Sequence, residues 1–263
     1  MRTVSDVLHF INTLAPTYMK MDWDNVGLNC GRLDRPVTKI LVALDPFEEA
    51  IHEAIEFGAE LLVTHHVLIH EPGFITDSDR QGQRVLTLIE NGIAHINAHT
   101  NLDCAPGGVN DCLAATLGLE NVEVLNPMST DAAGTPYGLL RMGTVQEQAL
   151  NTFLTSVKEK LCCKGLRYIS SGNPVHRVAV GGGACGDGLY DVHKAGCDTF
   201  VTSDIKYNIF RDAYDLGINL IDAGHFYTEN PVCRYLAEQL ETAFPGIQIK
   251  LSESHKDHTN FFV

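Results

Sequence analysis

Glu60-Leu61-Leu62-Val63-Thr64-His65-His66 is the stretch on which the fold reading turns. Three consecutive large aliphatic residues, with β-branched Val63 and Thr64, read as a strand buried on both faces, as parallel α/β sheets require. The strand runs directly into two adjacent histidines. Side chains alternate along an extended chain, so the two imidazoles point in different directions and could serve different metal ions.

Outward from this strand the chain alternates strand and helix. Before it come a helical stripe at Val4, Val7, Leu8, Ile11 and Leu14, a strand over 39–44, and an amphipathic helix over 48–57 closed by Gly58. The turn-rich segment Trp23-Asp24-Asn25-Val26-Gly27 carries the sole tryptophan, which reads as a core anchor. After it, 67–79 reads as a loop, 84–90 as helix and 93–98 as a strand leading into His99-Thr100-Asn101-Leu102-Asp103. The pattern weakens between 120 and 173, where a strand near Leu139, a helix over 146–161 and a strand near Tyr168 are expected. It resumes with strands at 176–181, 199–202, 218–222 and 247–251. The expectation is an α/β protein of two pseudo-repeated βαβ lobes with mostly parallel sheets facing a central metal cleft. The lobes would occupy 1–120 and 174–263, with a short intervening module over 121–173.

The two ends of the chain resemble each other. Gly58 to His66 aligns with Gly196-Cys197-Asp198-Thr199-Phe200-Val201-Thr202-Ser203-Asp204. Gly92-Ile93 leads through a strand to His99 and, four residues on, Asp103; Gly217-Ile218 leads through a strand to His225 and, four residues on, Glu229. Ligands of such sheets gather beyond the carboxyl ends of the strands. Those ends carry His65, His66, His99, Asp103, Asp204, His225 and Glu229.

Imidazole with carboxylate suits zinc, iron, manganese or cobalt. Two such ions about 3.5–4 Å apart lower the pKa of a water toward about 7 and stabilise entering and leaving oxygens. The reading therefore assigns His65, His66, Asp103, His225 and Glu229 as ligands of two divalent metal ions. Glu229 is the bridging group, and His99 is assigned to proton transfer. Asp204 and Lys206 are candidates for substrate contact, while His9, His52, His193, His255 and His258 read as surface residues. A competing motif, Gly181-Gly182-Gly183-Ala184-Cys185-Gly186, fits GxGxxG between strand and helix, with Asp204 ending the next strand. It leaves the histidine–carboxylate set unexplained, although such glycines could offer backbone amides to a phosphate.

Composition bounds the alternatives. The 263 residues are 44% hydrophobic and 20% charged, ordinary for a globular protein. No apolar run reaches the roughly 20 residues of a membrane span. Met1-Arg2-Thr3-Val4-Ser5-Asp6 lacks a basic-then-apolar signal, so a cytoplasmic location is expected. The eight cysteines show no Cys-x-x-Cys and read as reduced thiols. A net charge of −14 argues against general nucleic-acid binding but leaves a phosphate-bearing small-molecule substrate open at a metal centre.

The segments Asp24-Asn25-Val26-Gly27-Leu28, Thr64-His65-His66, His99-Thr100-Asn101-Leu102-Asp103, Ile221-Asp222-Ala223-Gly224-His225 and Thr228-Glu229 together resemble the GTP cyclohydrolase I type 2 family, also called Nif-three-like. The resemblance implies two α/β lobes around a dinuclear site held by the same five residues, and a ring-shaped homohexamer. It also implies hydrolytic opening of the guanine ring of GTP. Val67 stands where the family commonly has proline and Asn208 where it commonly has histidine, departures that touch no ligand. The rival to a nucleotide hydrolase is a metal-containing regulatory or binding protein without turnover.

Overall fold

The computed structural model describes residues 1–71 and 73–262; Pro72, within the expected loop, and Val263 lie outside the described residues. The chain is α/β and divides into two compact units, Met1–Ala105 with Cys233–Lys256, and Pro106–Val232 with Asp257–Val263. Among the described residues no helix is long and apolar enough to cross a membrane. All eight cysteines are free thiols.

In the first unit, α1 (Val4–Leu14) opens with a capping box in which the Thr3 and Asp6 side chains satisfy each other's backbone amides. Strand β1 (Gly27–Cys30) is followed by β2 (Lys39–Ala43), α2 (Glu48–Phe57), β3 (Leu61–Thr64), α3 (Arg80–Glu90), β4 (Ala94–Asn97) and the short α4 (Thr100–Cys104). Helix α2 ends on Gly58, whose φ of +71° supplies the left-handed cap. Helix α3 starts four residues earlier than the apolar pattern suggests, because Asp79 caps it through the Gly82 amide. The parallel strands β2, β3 and β4 are almost wholly buried, which is why β2 and β3 read as near-continuous apolar runs, while β4 also buries the polar His95 and Asn97. Antiparallel β1 closes one edge of the sheet.

The second unit comprises α5 (Val109–Leu117), β5 (Glu120–Leu125), the hairpin β6 (Ser129–Thr130) and β7 (Pro136–Tyr137), β8 (Leu140–Gln148), α6 (Leu150–Lys160) and β9 (Arg167–Ile169). Then come β10 (Val175–Val180), α7 (Leu189–Lys194), β11 (Thr199–Thr202), α8 (Tyr207–Leu216), β12 (Asn219–Asp222) and α9 (His225–Glu229). Its sheet runs β5-β8-β10-β11-β12-β9. Only β10-β11 and β11-β12 pair in parallel; the other neighbours are antiparallel. The expectation of mostly parallel sheets therefore holds for the first sheet and gives way to a mixed second sheet. The cause is the segment 121–173, which contributes antiparallel strands to this sheet. Arg141, 1% exposed on β8, is neutralised by Asp111 of α5, with Nε–Oδ1 at 2.7 Å, and donates to Gly138 O at 2.7 Å.

Helix α10 (Pro231–Ala243) carries the chain to β13 (Gln248–Leu251), which pairs in parallel with β2 of the first sheet. A contiguous second lobe over 174–263 does not describe this return. No local pattern could reveal it, since the partner strand lies near the other end of the chain. Glu53 on α2 secures the return by accepting from Lys250 Nζ (2.8 Å), the Ser252 hydroxyl (2.6 Å) and the Ser254 amide (3.0 Å).

The internal repeat is real as topology. Each unit contains three consecutive parallel strands, β2-β3-β4 and β10-β11-β12, and the third leads into a five-residue helix, α4 or α9.

Candidate metal centre

In the first unit, three imidazoles collect where β3 and β4 end. Each of His65, His66 and His99 offers a ring nitrogen within 4.8 Å of the other two. His65, fully buried, sets its Nδ1 2.9 Å from Ala98 O. His66 sets its Nδ1 2.6 Å from Asp45 Oδ1, at the end of β2, and His99 sets its Nδ1 2.9 Å from Asp24 Oδ1. Carbonyl and carboxylate oxygens only accept, so in each ring Nδ1 carries a proton, and the neutral ring of that tautomer presents its lone pair at Nε2. Asp103, four residues after His99 on α4, brings Oδ1 to 3.7 Å from His65 Nε2.

Asp24 is the keystone of this half. Besides His99 it takes the Thr100 amide (2.9 Å) and hydroxyl (2.5 Å). Burial would raise its pKa, but these donors outweigh burial and hold the carboxyl well below the usual carboxylate range. Asn101 fixes the strand-to-helix turn by accepting from the His99 amide and donating to Ala15 O. Thr64 donates to His66 O (2.6 Å) and so accepts from His95 Nε2 (2.8 Å), a fully buried histidine whose pKa burial pulls down to about 3.

The second unit repeats the device. His225 Nδ1 lies 2.7 Å from Asp204 Oδ2, and its Nε2 lies 3.0 Å from Oε2 of Glu229, which is buried one helical turn on in α9. An imidazole nitrogen and a carboxylate oxygen at this separation suit a shared proton or divalent ion. Asp204 has φ of +51°, a conformation uncommon outside glycine, and that turn aims its carboxylate at His225.

The glycine run packs against this His225–Glu229 pair. A Cβ on Gly183 (φ +65°) would overlap Glu229 Oε1 and stand 3.2 Å from His225 Nε2; one on Gly182 would stand 2.8 Å from Val109 and 3.2 Å from Glu229 Cγ. Its amides are committed inside the protein, Gly181 N to Val201 O (3.0 Å), Gly182 N to Asn110 Oδ1 (2.7 Å) and Gly183 N to Thr228 Oγ1 (3.0 Å). None of the three amides is left to hold a phosphate, which removes the dinucleotide reading of this motif. The glycines make room for a carboxylate and an imidazole.

The donor set passes a chemical test for divalent metal. Imidazoles fixed through Nδ1 by a carboxylate or carbonyl, with Nε2 presented to buried carboxylates, are the arrangement in which metal-ligating histidines are oriented. Sequence reasoning named His65, His66, His99, Asp103, His225, Glu229 and Asp204 but missed the orienting roles of Asp24 and Asp45. Asp45 leaves the end of β2 just as the histidines leave β3 and β4, so the same strand-end rule could have flagged it. Lys206 lies exposed just before α8.

Residues 2–258 match the family described as Duf34/NIF3 (NGG1p interacting factor 3). The chain belongs to the DUF34/NIF3 family. Within it, a Clostridium perfringens protein named GTP cyclohydrolase 1 type 2 homolog is 34% identical over 262 residues, covering 98% of this chain and 99% of the relative. A Streptomyces coelicolor protein of the same name is 37% identical over 253 residues, covering 92% and 86%. A crystal structure of a Bacillus cereus protein related to NIF3 superposes with a TM-score of 0.94 at 26% identity, covering 100% of this chain and 99% of that one. The DUF34/NIF3 fold therefore extends over the whole described chain.

Proposed function

We propose that this DUF34/NIF3 protein is a metal-dependent hydrolase with a nucleotide as substrate. His65, His66, Asp103, His225 and Glu229 would hold a pair of divalent ions drawn from zinc, iron, manganese and cobalt. When bound, such ions acidify water and neutralise charge developing on entering and leaving oxygens. The chain's own residues prepare the site. Asp45 and Asp204 fix the tautomers of His66 and His225, and Ala98 O fixes that of His65. His99, with Nδ1 held by Asp24, presents Nε2 as a proton acceptor and relay. The observation that carries the reading is this shared tautomer: four imidazoles from three strand ends of the two repeated units, each tied through Nδ1.

GTP is the first substrate to test because curated relatives bear its name. The protein is further proposed to work in the cytoplasm as a homohexamer. Metal analysis of the purified protein should return a pair of divalent ions per chain. Turnover of GTP or of another nucleotide or phosphoester should vanish in Glu229→Gln. Metal-loaded protein that turns over no member of such a panel defeats the hydrolase reading. A specific partner retained equally by Glu229→Gln would then favour a metal-containing binding protein.

A further inference from the structure

Trp23, expected in the core, is 71% exposed. The loop that carries it is nevertheless pinned. Lys20 Nζ donates to Met21 O (3.2 Å) and Asp24 O (2.8 Å), the Met21 amide donates to Thr100 Oγ1 (2.9 Å), and the Asp24 amide donates to Met21 O (3.0 Å). Asp24, the next residue, is itself locked onto His99 and Thr100. The indole thus stands in water on a backbone with little freedom. Its ring centroid lies 6.0 Å from that of His99 with the planes crossed at 74°, so the two rings meet edge to face rather than stacking, and most of the indole remains exposed.

An indole is rarely left so open, because it is the largest apolar surface a residue can bury. Holding one rigidly beside three clustered imidazoles forfeits that burial and pre-positions an aromatic face at the edge of the cluster. Aromatic faces bind flat heteroaromatic rings by stacking, which needs no charge on the protein. That suits a chain of net charge −14, which offers anionic substrates little long-range attraction.

We propose that Trp23 is a stacking platform for the planar base of the substrate, holding the base beside His99. This rests on the hydrolase reading with a nucleotide as the substrate class. The single tryptophan makes its own reporter, since all indole emission of the native protein comes from position 23. GTP and guanosine are expected to quench that emission saturably, and inorganic triphosphate, which has no ring, is expected to leave it unchanged. Trp23→Ala should weaken GTP binding measured by calorimetry about tenfold or more, while Trp23→Phe keeps most of the affinity.

GTP binding by calorimetry with unmoved emission and equal affinity in Trp23→Ala overturns the platform and leaves the hydrolase reading standing. Blue-shifted emission that acrylamide cannot reach in the native assembly also overturns it, because a second copy then covers the indole. Absence of any binding of GTP, ATP or guanosine removes the platform together with the nucleotide part of the hydrolase reading.

Discussion

At the scale of single residues, the site is organised by carboxylates that orient imidazoles. Asp45 and Asp204 each hold one Nδ1 proton, and neither is assigned as a ligand. Replacing an orienting partner typically lowers metal affinity about 10- to 100-fold. Asp45→Ala is therefore expected to lose metal to a competing chelator at a concentration about that much lower than the parent requires, with the metal-free proteins melting alike. Equal retention of metal would show that His66 needs no such partner. His95 gives a separate prediction in pH. Its folded pKa of about 3 lies below the ordinary 6.5, so the fold keeps it neutral while the unfolded chain takes up a proton as pH falls. The contribution of His95 is constant well above pH 6.5 and falls below it. Between about pH 6.5 and 5.5 ordinary carboxylates remain almost wholly ionised, so chemical denaturation of chelator-treated protein should show this slope, and His95→Leu should make it shallower. The proposed ligands were legible because His65 and His66 follow a buried strand directly, and Asp103 and Glu229 each stand four residues after a strand-end histidine. Asp24 and Trp23 were not, because a carboxylate and an indole in a turn carry no period that says what they face.

At the scale of elements, sequence patterns succeeded where a strand is buried on both faces and failed where one face is wet. Strands β2, β3, β4, β11 and β12 are each built around large buried aliphatic or aromatic residues, were expected as strands and are strands. Gln146-Glu147-Gln148 favours helix locally, yet β8 continues through it because Val175 of β10 pairs with Gln148. Strand β5 shows four exposed residues in a row and gives no alternation to detect. The glycine run was legible as punctuation but not in purpose, since its constraint comes from Glu229, far along the chain. Gly183→Ala tests that purpose. The added methyl and the φ of +65° both oppose the native turn, so Glu229 must move. Metal content should fall at least about tenfold, as measured by metal analysis after dialysis; full retention would show that Glu229 tolerates displacement. Glu53, by contrast, fastens β13 and the residues after it. Burial opposes its charge, but Lys250, Ser252, Ser254 and the Glu253 amide together hold its pKa well below the ordinary 4.5. Its stabilisation is present above that value and fades as pH drops below it. Glu53→Gln should cost about 2 kcal/mol in urea denaturation at neutral pH and remove part of the acid sensitivity.

At the scale of the whole molecule, a chain of net charge −14 keeps Asp103 and Glu229 7% and 4% exposed among imidazoles presented through Nε2. Carboxylates withdrawn from water need compensating positive charge, and divalent ions supply more of it per site than any side chain. Ions that bind the fold and not the unfolded chain stabilise it by mass action, by about 2.7 kcal/mol when free metal is 100 times its Kd. For a chain of this length each kcal/mol moves the melting midpoint by roughly 2–4 °C. Stripping the native protein with a chelator should therefore lower its midpoint by about 5–10 °C, and returning zinc, manganese, iron or cobalt should restore it, whereas magnesium, which prefers oxygen ligands and retains its waters, should restore little. Calorimetric scans with parallel metal analysis check both halves of this expectation. Metal that departs without any change in the midpoint would mean that these side chains are no metal site of the folded protein, and the hydrolase proposal would lose its chemistry.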